Sequence, residues 1–419
     1  MARIILLSFA LLFSIHSQSQ LRIRVMHYNL LSFGPPCTNV TITNKYNWLG
    51  TILEQYRPHL FTVNELGPNI AYANGIKSLS FDYTDRVSYA DFTNNANANI
   101  VNQLFYDNEI FAYTGVEVIG GFLRDINVYH LYIKPTTTTP GVDTVFLDCI
   151  VAHYKAGDTQ TDANTRANMA QAVMNYINAK GKGRNILVMG DFNVYSHNEA
   201  AFQTMVFNPD STIRLIDPAG KQNGWNGSAN AIIHTQSPRQ SSQDCGSGGG
   251  MDDRFDFILA SAAIMGDTAG IGYVPGTYAA YGNDGNSYNQ ELLCSNSGSV
   301  PATVCSAMKQ MSDHLPVVMQ LEVPGITAVD KQTHFQSTLR VFTAPEKGEI
   351  KLMFDNSLLP GGPAKVRLFS LWGQELSVLE IAPGVNEAVI SGVRIPAGVY
   401  FLRWENEKGW AETKKIEWR

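Results

Sequence analysis

The sequence predicts a mixed α/β (α+β) fold for its first two-thirds and a small all-β module at its C-terminal end. Strand-like runs alternate with helical stretches up to residue 322, and beyond it only short runs of period-two alternation return. With 419 residues, of which 44% are hydrophobic, the chain exceeds one ordinary domain and can bury a sizeable core. One large layered domain and one accessory domain are therefore expected.

The strands and helices of the large domain are predicted from the spacing of apolar residues. The run LRIRVMHYNL at residues 21–30 alternates like a strand, whereas residues 48–56 have helical spacing. A long amphipathic helix is expected over residues 161–179, because the Lys-Gly-Lys-Gly stretch at 180–183 ends it. Further strands are predicted at residues 59–66, 100–106, 122–133, 145–153, 185–189, 255–260 and 317–322.

The last part of the chain has a different character. A polar stretch that begins at Pro324 is expected to be a linker over residues 324–345. Runs such as AKVRLFSLWGQEL, NEAVISGV and GVYFLRWEN then alternate in the manner of a small antiparallel sandwich. Residues 20–323 are therefore predicted to form the large domain and residues 346–419 an independent β-sandwich.

The N-terminus has the features of an export signal. Arg3 precedes an apolar run over residues 4–15, and small polar residues follow that run. The run is too short to span a bilayer, and no transmembrane helix is predicted elsewhere. Residues 1–19 are therefore expected to be a signal peptide.

Export to an oxidising compartment would allow the five cysteines to pair. Cys294 and Cys305 lie close together in a loop-like region and are expected to form a disulfide. Cys149 lies inside the apolar run VFLDCIVAHY and is expected to be a buried free thiol. Cys37 and Cys245 can form a second bridge, but the sequence does not fix that connectivity.

The large domain is acidic. From Gln20 to Val323 it contains 18 Lys and Arg residues against 26 Asp and Glu residues, a net charge of −8. Such a balance argues against tight, cation-independent binding of nucleic acid. It is compatible with an enzyme that contacts phosphate through a bound metal ion.

Five short motifs in the large domain carry the candidate chemistry. VNELG and MGDFN lie where an apolar strand gives way to a loop, and binding residues of sheet proteins gather at such places. Carboxylate and amide oxygens suit Mg²⁺, Mn²⁺ or Ca²⁺, and the sequence lacks the Cys-rich cluster or HExxH pair that Zn²⁺ would favour. The motifs are HYNLL with Asn29, VNELG with Glu65, VAHYK with His153, MGDFN with Asp191 and Asn193, and SDHLP with Asp313 and His314.

Each motif taken alone has an ordinary structural explanation. Asn29 at a strand end is typical of a turn, Glu65 of a solvated loop, and Asp191 of a helix cap. The joint occurrence of all five motifs is what favours hydrolysis of a phosphoester.

In this order, the motifs resemble those of the endonuclease/exonuclease/phosphatase family, whose members include DNase I-like nucleases, abasic-site endonucleases, bacterial sphingomyelinases and inositol-polyphosphate phosphatases. The resemblance covers residues 21–322, and MGDFN and SDHLP are its most specific parts. It implies a four-layered α/β sandwich of the DNase I-like type. It also implies a phosphoester hydrolase that depends on Mg²⁺, or on Mn²⁺ or Ca²⁺ in its place.

The resemblance further implies roles for individual residues. Asn29, Glu65 and Asp313 would bind the metal ion. Asp191 would orient or deprotonate the attacking water, and Asn193 would hold a phosphoryl oxygen.

Two histidines are expected to act on the phosphate. Asp256, in DRFDFILAS, matches the family position that hydrogen-bonds the last histidine, here His314, and raises its affinity for a proton. His153 matches a histidine that binds or protonates an oxygen of the scissile phosphate. Weaker candidates for phosphate contact are Tyr106, Lys155 and Arg166.

The C-terminal module also resembles a known domain. Its LFSLWGQEL and IPAGVYFLRWENEKG segments, with a Lys-Lys pair near the end, are similar to the type A sorting domain of the type IX secretion system of Bacteroidetes. The resemblance implies export through the periplasm and outer membrane, with that secretion machinery as a partner. The alternative is a carbohydrate-binding or adhesive sandwich.

The sequence leaves the substrate open. Extracellular DNA or RNA is the first expectation, and a sphingomyelinase-like phospholipase or a phosphatase of small phosphoesters is the alternative. The polar segments 223–250 and 272–299 are expected to be loops that frame the groove, and an aromatic hairpin protruding from residues 273–288 would favour lipid. A catalytically inactive surface binding module is an alternative of another class, against which the complete set of site residues argues.

The protein is expected to be a monomer.

Overall fold

The computed structural model of the protein describes residues 21–34, 40–79, 86–134, 144–221, 223–294, 298–323, 339–354, 364–370, 374–382, 385, 387–406 and 411–418. The expected signal peptide and most of the expected linker lie outside these residues. The chain divides into two compact units, Met1–Asp330 and Lys331–Arg419. Within the described ranges, no helix is both long enough and apolar enough to cross a membrane.

The first unit is built from thirteen strands and six α-helices in its described part. The strands are β1 (Leu21–Phe33), β2 (Leu60–Leu66), β3 (Val87–Tyr89), β4 (Val101–Asp107), β5 (Phe111–Ile119), β6 (Ile126–Ile133), β7 (Val145–His153), β8 (Ile186–Asp191), β9 (Leu215–Ile216), β10 (Asp256–Ser261), β11 (Gly272–Tyr273), β12 (Ala279–Ala280) and β13 (Val317–Val323). The helices are α1 (Ile42–Tyr56), α2 (Ile70–Lys77), α3 (Gln160–Tyr176), α4 (Ala200–Val206), α5 (Ala262–Met265) and α6 (Ala302–Met311).

The strands form two sheets. One has seven strands in the order β11-β13-β1-β2-β4-β3, with β12 also paired to β13, and the other has six in the order β5-β6-β7-β8-β10-β9. Within them, β1 runs parallel to β2 and β7 runs parallel to β8. Each parallel pair therefore brings two strand ends to the same edge of its sheet.

The helices begin and end where local chemistry favours it. The Thr41 side chain accepts a hydrogen bond from the Asn44 backbone at the start of α1, and Arg57 ends that helix in the left-handed conformation. Thr159 caps α3 in the same way through the Asp162 backbone. The buried residues of α3 recur at helical spacing, so that one face of the helix packs on the six-stranded sheet.

Three apolar cores separate four layers. One core lies between the two sheets and contains Val25, Leu104, Leu131, Val151 and Met319 among others. A second packs α1 and α6 on the outer face of the seven-stranded sheet, and a third packs α3 and α4 on the outer face of the six-stranded sheet. The order helix, sheet, sheet, helix confirms the predicted four-layered α/β sandwich.

The boundaries of some elements differ from the predictions. Residues 122–125 form the turn before β6 rather than its first residues. Strand β5 was not expected, because it is an edge strand whose residues are mostly half-buried and show little alternation. The expected loop regions 223–250 and 272–299 contain a 3₁₀ helix, Ser228–Ile233, and the short strands β11 and β12.

Residues 273–288 do not form the protruding aromatic hairpin that would favour lipid. Tyr273 and Tyr278 pack against the core between the sheets, and Tyr281 packs against the core beneath α1 and α6. The Tyr278 hydroxyl also accepts a hydrogen bond of 2.8 Å from Arg254, which is itself paired with Asp217 in the interior. These tyrosines are held inward by packing and hydrogen bonding, so they offer no protruding lipid-binding surface.

Two of the cysteine predictions are confirmed. Cys294 and Cys305 form a disulfide with their Cα atoms 5.4 Å apart, and Cys149 is a buried free thiol. Cys37 lies outside the described residues, so its pairing with Cys245 stays a prediction.

The second unit is a β-sandwich, as predicted. Its strands are β14 (Leu339–Ala344), β15 (Glu349–Phe354), β16 (Ala364–Ser370), β17 (Glu375–Ile381), β18 (Glu387–Ile390), β19 (Gly398–Asn406) and β20 (Ala411–Trp418). A sheet β14-β15-β18 and a sheet β17-β16-β19-β20 share one apolar core, to which Leu352, Leu402 and Trp404 belong. Strand β14 begins inside the segment that the sequence assigned to the linker.

Candidate active site

Strand register places the predicted site residues side by side. His153, at the end of β7, is the direct neighbour of Asp191, at the end of β8. Asp256, at the start of β10, lies on the other side of Asp191. In the second sheet, Asn29 is paired with Asn64, the residue before Glu65. The site residues of both sheets thus lie at or near the ends of their strands, on the same side of the sandwich.

Gly190 of the MGDFN motif is required by the close approach of β7 to β8. A Cβ atom at this position would lie 1.9 Å from the Ala152 carbonyl oxygen, which is backbone and cannot move away. Any larger residue would separate the strands directly before Asp191. The glycine therefore keeps His153 and Asp191 in register.

The Asn29 side chain links the two sheets. It is fully buried, and its Nδ2 donates to Glu65 Oε1 at 3.2 Å and to Asp191 Oδ2 at 3.0 Å. Its Oδ1 accepts from the Leu31 backbone at 3.0 Å, and the Ser32 backbone donates to Glu65 Oε2 at 2.8 Å. A bulge in β1 makes this possible, because Leu31 and Ser32 both adopt positive φ there.

Asp191 is the centre of the site. Its Oδ1 accepts from the Asn193 backbone at 3.0 Å, and its own backbone N–H donates to Asn64 at 2.8 Å. His153 Nε2 lies 3.6 Å and His314 Nε2 3.7 Å from Asp191 Oδ2. Both imidazoles thus flank this carboxylate at distances slightly longer than a hydrogen bond.

His314 and Asp256 form a buried pair. His314 Nδ1 donates to Asp256 Oδ2 at 2.7 Å, which fixes the ring and leaves Nε2 facing Asp191. Ser312 orients the same segment, since its hydroxyl donates to the Asn29 carbonyl at 2.7 Å and accepts from the His314 backbone. Asp313 lies beside them, with its Oδ1 3.9 Å from His314 Nε2.

Burial and mutual charge shift the pKa values of these groups. Burial raises the pKa of Asp191 to about 7, with added repulsion from Asp256 and Glu65, while the charge of His314 opposes the shift. Burial lowers the pKa of His314, but Asp256, Asp191 and Asp313 outweigh it and raise that pKa well above its ordinary value. Burial and the charge of Arg124 lower the pKa of His153 well below its ordinary value.

The residues present fit a hard divalent cation. Asp256 Oδ1 and Asp313 Oδ1 are buried and have no hydrogen-bond partner among the described residues, so the site holds carboxylate oxygens without compensating donors. Asp191, Asp256 and His314 offer ligand atoms within 4.8 Å of one another, but His314 already donates to Asp256. Asn29, Glu65 and Asp313 supply oxygen atoms of the type that Mg²⁺ binds, and these residues stay the predicted ligands.

Sequence reasoning missed three further residues at the site. Gln236 Nε2 lies 2.8 Å from His314 Nε2. Arg124, in the turn before β6, interacts electrostatically with Glu65 and Asp191 and forms no hydrogen bond or salt bridge to another described residue. Lys45 on α1 is buried and donates to the Leu30 and Leu31 carbonyls behind the β1 bulge. No short motif marks them, because each reaches the site from a separate loop or helix.

The three weaker candidates for phosphate contact make other contacts in the structure. Tyr106 pairs with Leu60, at the end of β2 opposite to Glu65, and stacks on Tyr113. Lys155 is half-exposed and pairs with Asp162 at 2.8 Å. Arg166 is neither solvated nor directed at the site: it is buried, pairs with Glu199 at 2.7 Å and donates to the carbonyls of Lys155 and Gly157.

All eight predicted site residues are brought together, and their arrangement suits proton transfer beside a bound cation. Asp191 can accept a proton, His314 can carry positive charge, and His153 stays neutral. Asn193, two residues after Asp191, adopts positive φ, and its side chain donates to the Tyr154 carbonyl at 3.3 Å.

No family model and no curated protein matches the sequence. Among solved structures, the chain is similar to an endonuclease/exonuclease/phosphatase from Bacteroides vulgatus at 13% identity and a TM-score of 0.46, over 72% of this chain and 99% of that one. Truncated Caenorhabditis elegans TDP2 matches at 14% identity and 0.44, over 72% and 98%. The human Nocturnin catalytic domain matches at 14% identity and 0.41, over 72% and 94%. Because these values are low, the fold assignment rests on the sheets and cores described above.

Proposed function

We propose that this protein is a divalent-metal-dependent phosphoester hydrolase. The observation that carries the proposal is the arrangement around Asp191, where one buried carboxylate contacts Asn29 and lies between two imidazoles. Among the described residues, the buried Asp256 Oδ1 and Asp313 Oδ1 have no hydrogen-bond donor, so a cation would compensate their charge. Hydrolysis of a phosphoester needs both charge neutralisation and an activated water.

The side chains divide the chemistry among them. Asp191 takes a proton from the attacking water, whose oxygen bonds to phosphorus as the bond to the leaving alcohol breaks. His314, held by Asp256, and His153 contact phosphoryl oxygens from either side, while Asn193 orients the same group. The positive charge of Arg124 stabilises the negative charge that develops on the phosphoryl oxygens in the transition state. A metal ion bound by Asn29, Glu65 and Asp313 would polarise the phosphoryl group and stabilise the leaving oxygen.

Nucleic acid, DNA or RNA, is the substrate we place first, because a secreted enzyme of this chemistry would meet it as an extracellular phosphodiester. A small or lipid phosphoester is the second candidate, and a specific observation favours it. Near the site, Lys155 and Arg166 pair with Asp162 and Glu199, and Lys45 donates to two backbone carbonyls. Among the described residues, this leaves Arg124 for substrate. A long polyanion would find few positive contacts.

The test is a turnover assay with the full chain. Plasmid DNA, RNA, sphingomyelin vesicles and a chromogenic phosphodiester are incubated with Mg²⁺, Mn²⁺ or Ca²⁺ and with EDTA. Asp191→Asn and His314→Gln should each lower kcat about 10²- to 10⁴-fold. Asp210→Asn, which alters an exposed carboxylate paired with Lys182 away from the site, is the matched control and should retain full activity.

The outcomes separate the candidates. Cleavage of plasmid or RNA that is lost in EDTA and in both variants supports the nuclease. Cleavage of the vesicle or chromogenic substrate alone supports the second candidate. Metal-dependent binding of these compounds without turnover would instead indicate an inactive binding module and overturn the proposed function.

We further propose that the protein is exported and that its C-terminal unit is a sorting domain, as its resemblance to type A domains implies. Fusing residues 346–419 and the N-terminal 19 residues to a periplasmic reporter, in a host with a type IX system, tests this. The reporter should reach the cell surface or the medium. Retention in the periplasm would contradict the sorting role. Light scattering of the purified protein tests whether it is a monomer.

A further inference from the structure

We propose that Gln236 is a substrate-binding residue that donates a hydrogen bond to a phosphoryl oxygen beside His314. This inference deepens the proposed function and rests on it. Gln236 Nε2 lies 2.8 Å from His314 Nε2 and 3.4 Å from Asp313 Oδ2. Its side chain is partly exposed, whereas His314 and Asp313 are buried, so Gln236 lies on the solvent side of this pair.

The backbone of Gln236 is fixed on both sides. Its carbonyl accepts from the backbones of Asp252 and Asp253 at 3.0 and 3.1 Å, and its N–H donates to the Asp253 carbonyl at 3.1 Å. Gln236 also forms an isolated bridge with His314. The neighbouring residues Thr235 and Ser237 are buried, so the backbone on both sides of Gln236 is held in place and only its side-chain amide is free to turn.

The surrounding groups determine which way the amide points. The carboxylate of Asp313 can only accept, so the nitrogen of the amide, rather than its oxygen, faces it. The same nitrogen lies 2.8 Å from His314 Nε2, which can accept from it only in the neutral form of the ring, where the single proton is on Nδ1 toward Asp256. In the free protein, the Gln236 amide therefore lies beside the ring atom that would meet the phosphate.

A phosphoryl oxygen that approaches His314 Nε2 enters the space toward which the Gln236 amide hydrogens point. The amide can then turn from the imidazole to the oxygen and donate to it, since its backbone stays fixed. Such a neutral donor adds a contact to phosphate without adding charge to a site with several carboxylates. A hydrogen bond to a charged acceptor is stronger than one to a neutral acceptor, so the contact with a phosphoryl oxygen favours the bound state.

The test uses the full chain and inorganic phosphate as the probe, with Mg²⁺ present, in calorimetric titrations alongside steady-state kinetics. Gln236→Ala should weaken phosphate binding about tenfold and raise KM while kcat changes little. Gln236→Glu should weaken binding further, because its carboxylate repels phosphate. Gln236→Asn keeps the amide but is too short to reach His314, so it should bind phosphate like the alanine variant. Gln243→Ala, an exposed glutamine of the same loop, is the matched control.

Unchanged or tighter phosphate binding in Gln236→Ala and Gln236→Asn would overturn the inference, because Gln236 would then only compete for His314. This result is distinguishable from failure of the proposed function. If the wild-type protein cleaves a phosphoester and both variants bind phosphate normally, the result contradicts the Gln236 contact but not the hydrolase function. If the wild-type protein binds phosphate but cleaves none of the substrates, the result contradicts the hydrolase function. The phosphate affinities of the Gln236 variants then still show whether Gln236 contacts phosphate.

Discussion

Asn29 joins the two sheets at the site, because one amide nitrogen donates to Glu65 on the first sheet and to Asp191 on the second. The sequence offered Asn29 as a metal ligand on the strength of motif order. The structure adds that its oxygen also accepts from the Leu31 backbone, so the side chain has a fixed orientation before any ligand arrives. At this scale, the residues within motifs were predictable, whereas Gln236, Arg124 and Lys45 were not.

The pH dependence of activity is predicted from Asp191. Burial raises its pKa to about 7, and the group acts as a base only when ionised, so kcat/KM should rise with pH up to that region. A bound cation favours the ionised carboxylate, so the acid limb should move to lower pH as Mg²⁺ is raised towards saturation. pH–rate profiles at low and saturating Mg²⁺ measure this shift. A limb that moves to higher pH would contradict the role given to Asp191.

A chain of buried amides holds the strands that carry the site. Asn64, whose Oδ1 accepts from the Asp191 backbone, donates to Asn102 Oδ1 at 2.7 Å. Asn102 in turn donates to Asn127 at 3.1 Å and to the Val151 carbonyl at 3.1 Å. These contacts link β2 and β4 of one sheet to β6 and β7 of the other. The register of the two sheets at the site therefore depends on polar contacts within an otherwise apolar core.

Asn102→Leu is expected to lower both stability and kcat. It leaves Asn64 Nδ2 and the Val151 carbonyl without this partner, which costs about 1–3 kcal/mol for each group. It also removes the bond that orients the Asn64 amide whose oxygen accepts from the Asp191 backbone. Thermal unfolding and kcat per folded molecule measure the two effects. Gln103→Leu is the control, since Gln103 is a buried amide of the same strand that donates to the Ala90 carbonyl instead. Equal loss of kcat in both variants would show that the Asn102 network does not position Asp191.

Sequence patterns located most strands of the first unit, because alternation and apolar runs report burial directly. They did not locate β5, the turn before β6 or the inward packing of Tyr273 and Tyr278. None of these is marked by a clear apolar alternation in the sequence. Strand β5 is defined by its pairing with β6, and Tyr278 by a hydrogen bond from Arg254.

On the scale of the whole molecule, net charge limits what the protein can bind without a metal ion. The full chain has a formal net charge of −6, and Arg124 is the cation at the site that neither pairs nor hydrogen-bonds within the described residues. Association with a polyanion should therefore release few counterions. Affinity for substrate is expected to depend on the metal ion and on a small number of hydrogen bonds.

The salt dependence of KM for a single-stranded oligonucleotide tests this expectation. If nucleic acid is the substrate, a plot of log KM against log KCl at saturating Mg²⁺ should have a slope of about 1 to 2, because roughly 0.7 is expected for each phosphate neutralised. Arg124→Gln should reduce that slope by about one such contact. A slope above about 4 would reveal an extended basic surface and contradict the contact set described for the site.

The sequence by itself determined the layered α/β class, the β-sandwich that follows it, the Cys294–Cys305 bridge and the motifs from which the site is built. It could do so because apolar periodicity and short-range spacing are local properties of the chain. Only the tertiary structure decided which atoms face one another. The contact of Gln236 with His314, the position of Arg124 near Glu65 and Asp191, and the burial that raises the pKa of Asp191 arise from segments far apart in sequence. Those segments meet because the two sheets pack in one register, and no local pattern encodes that packing.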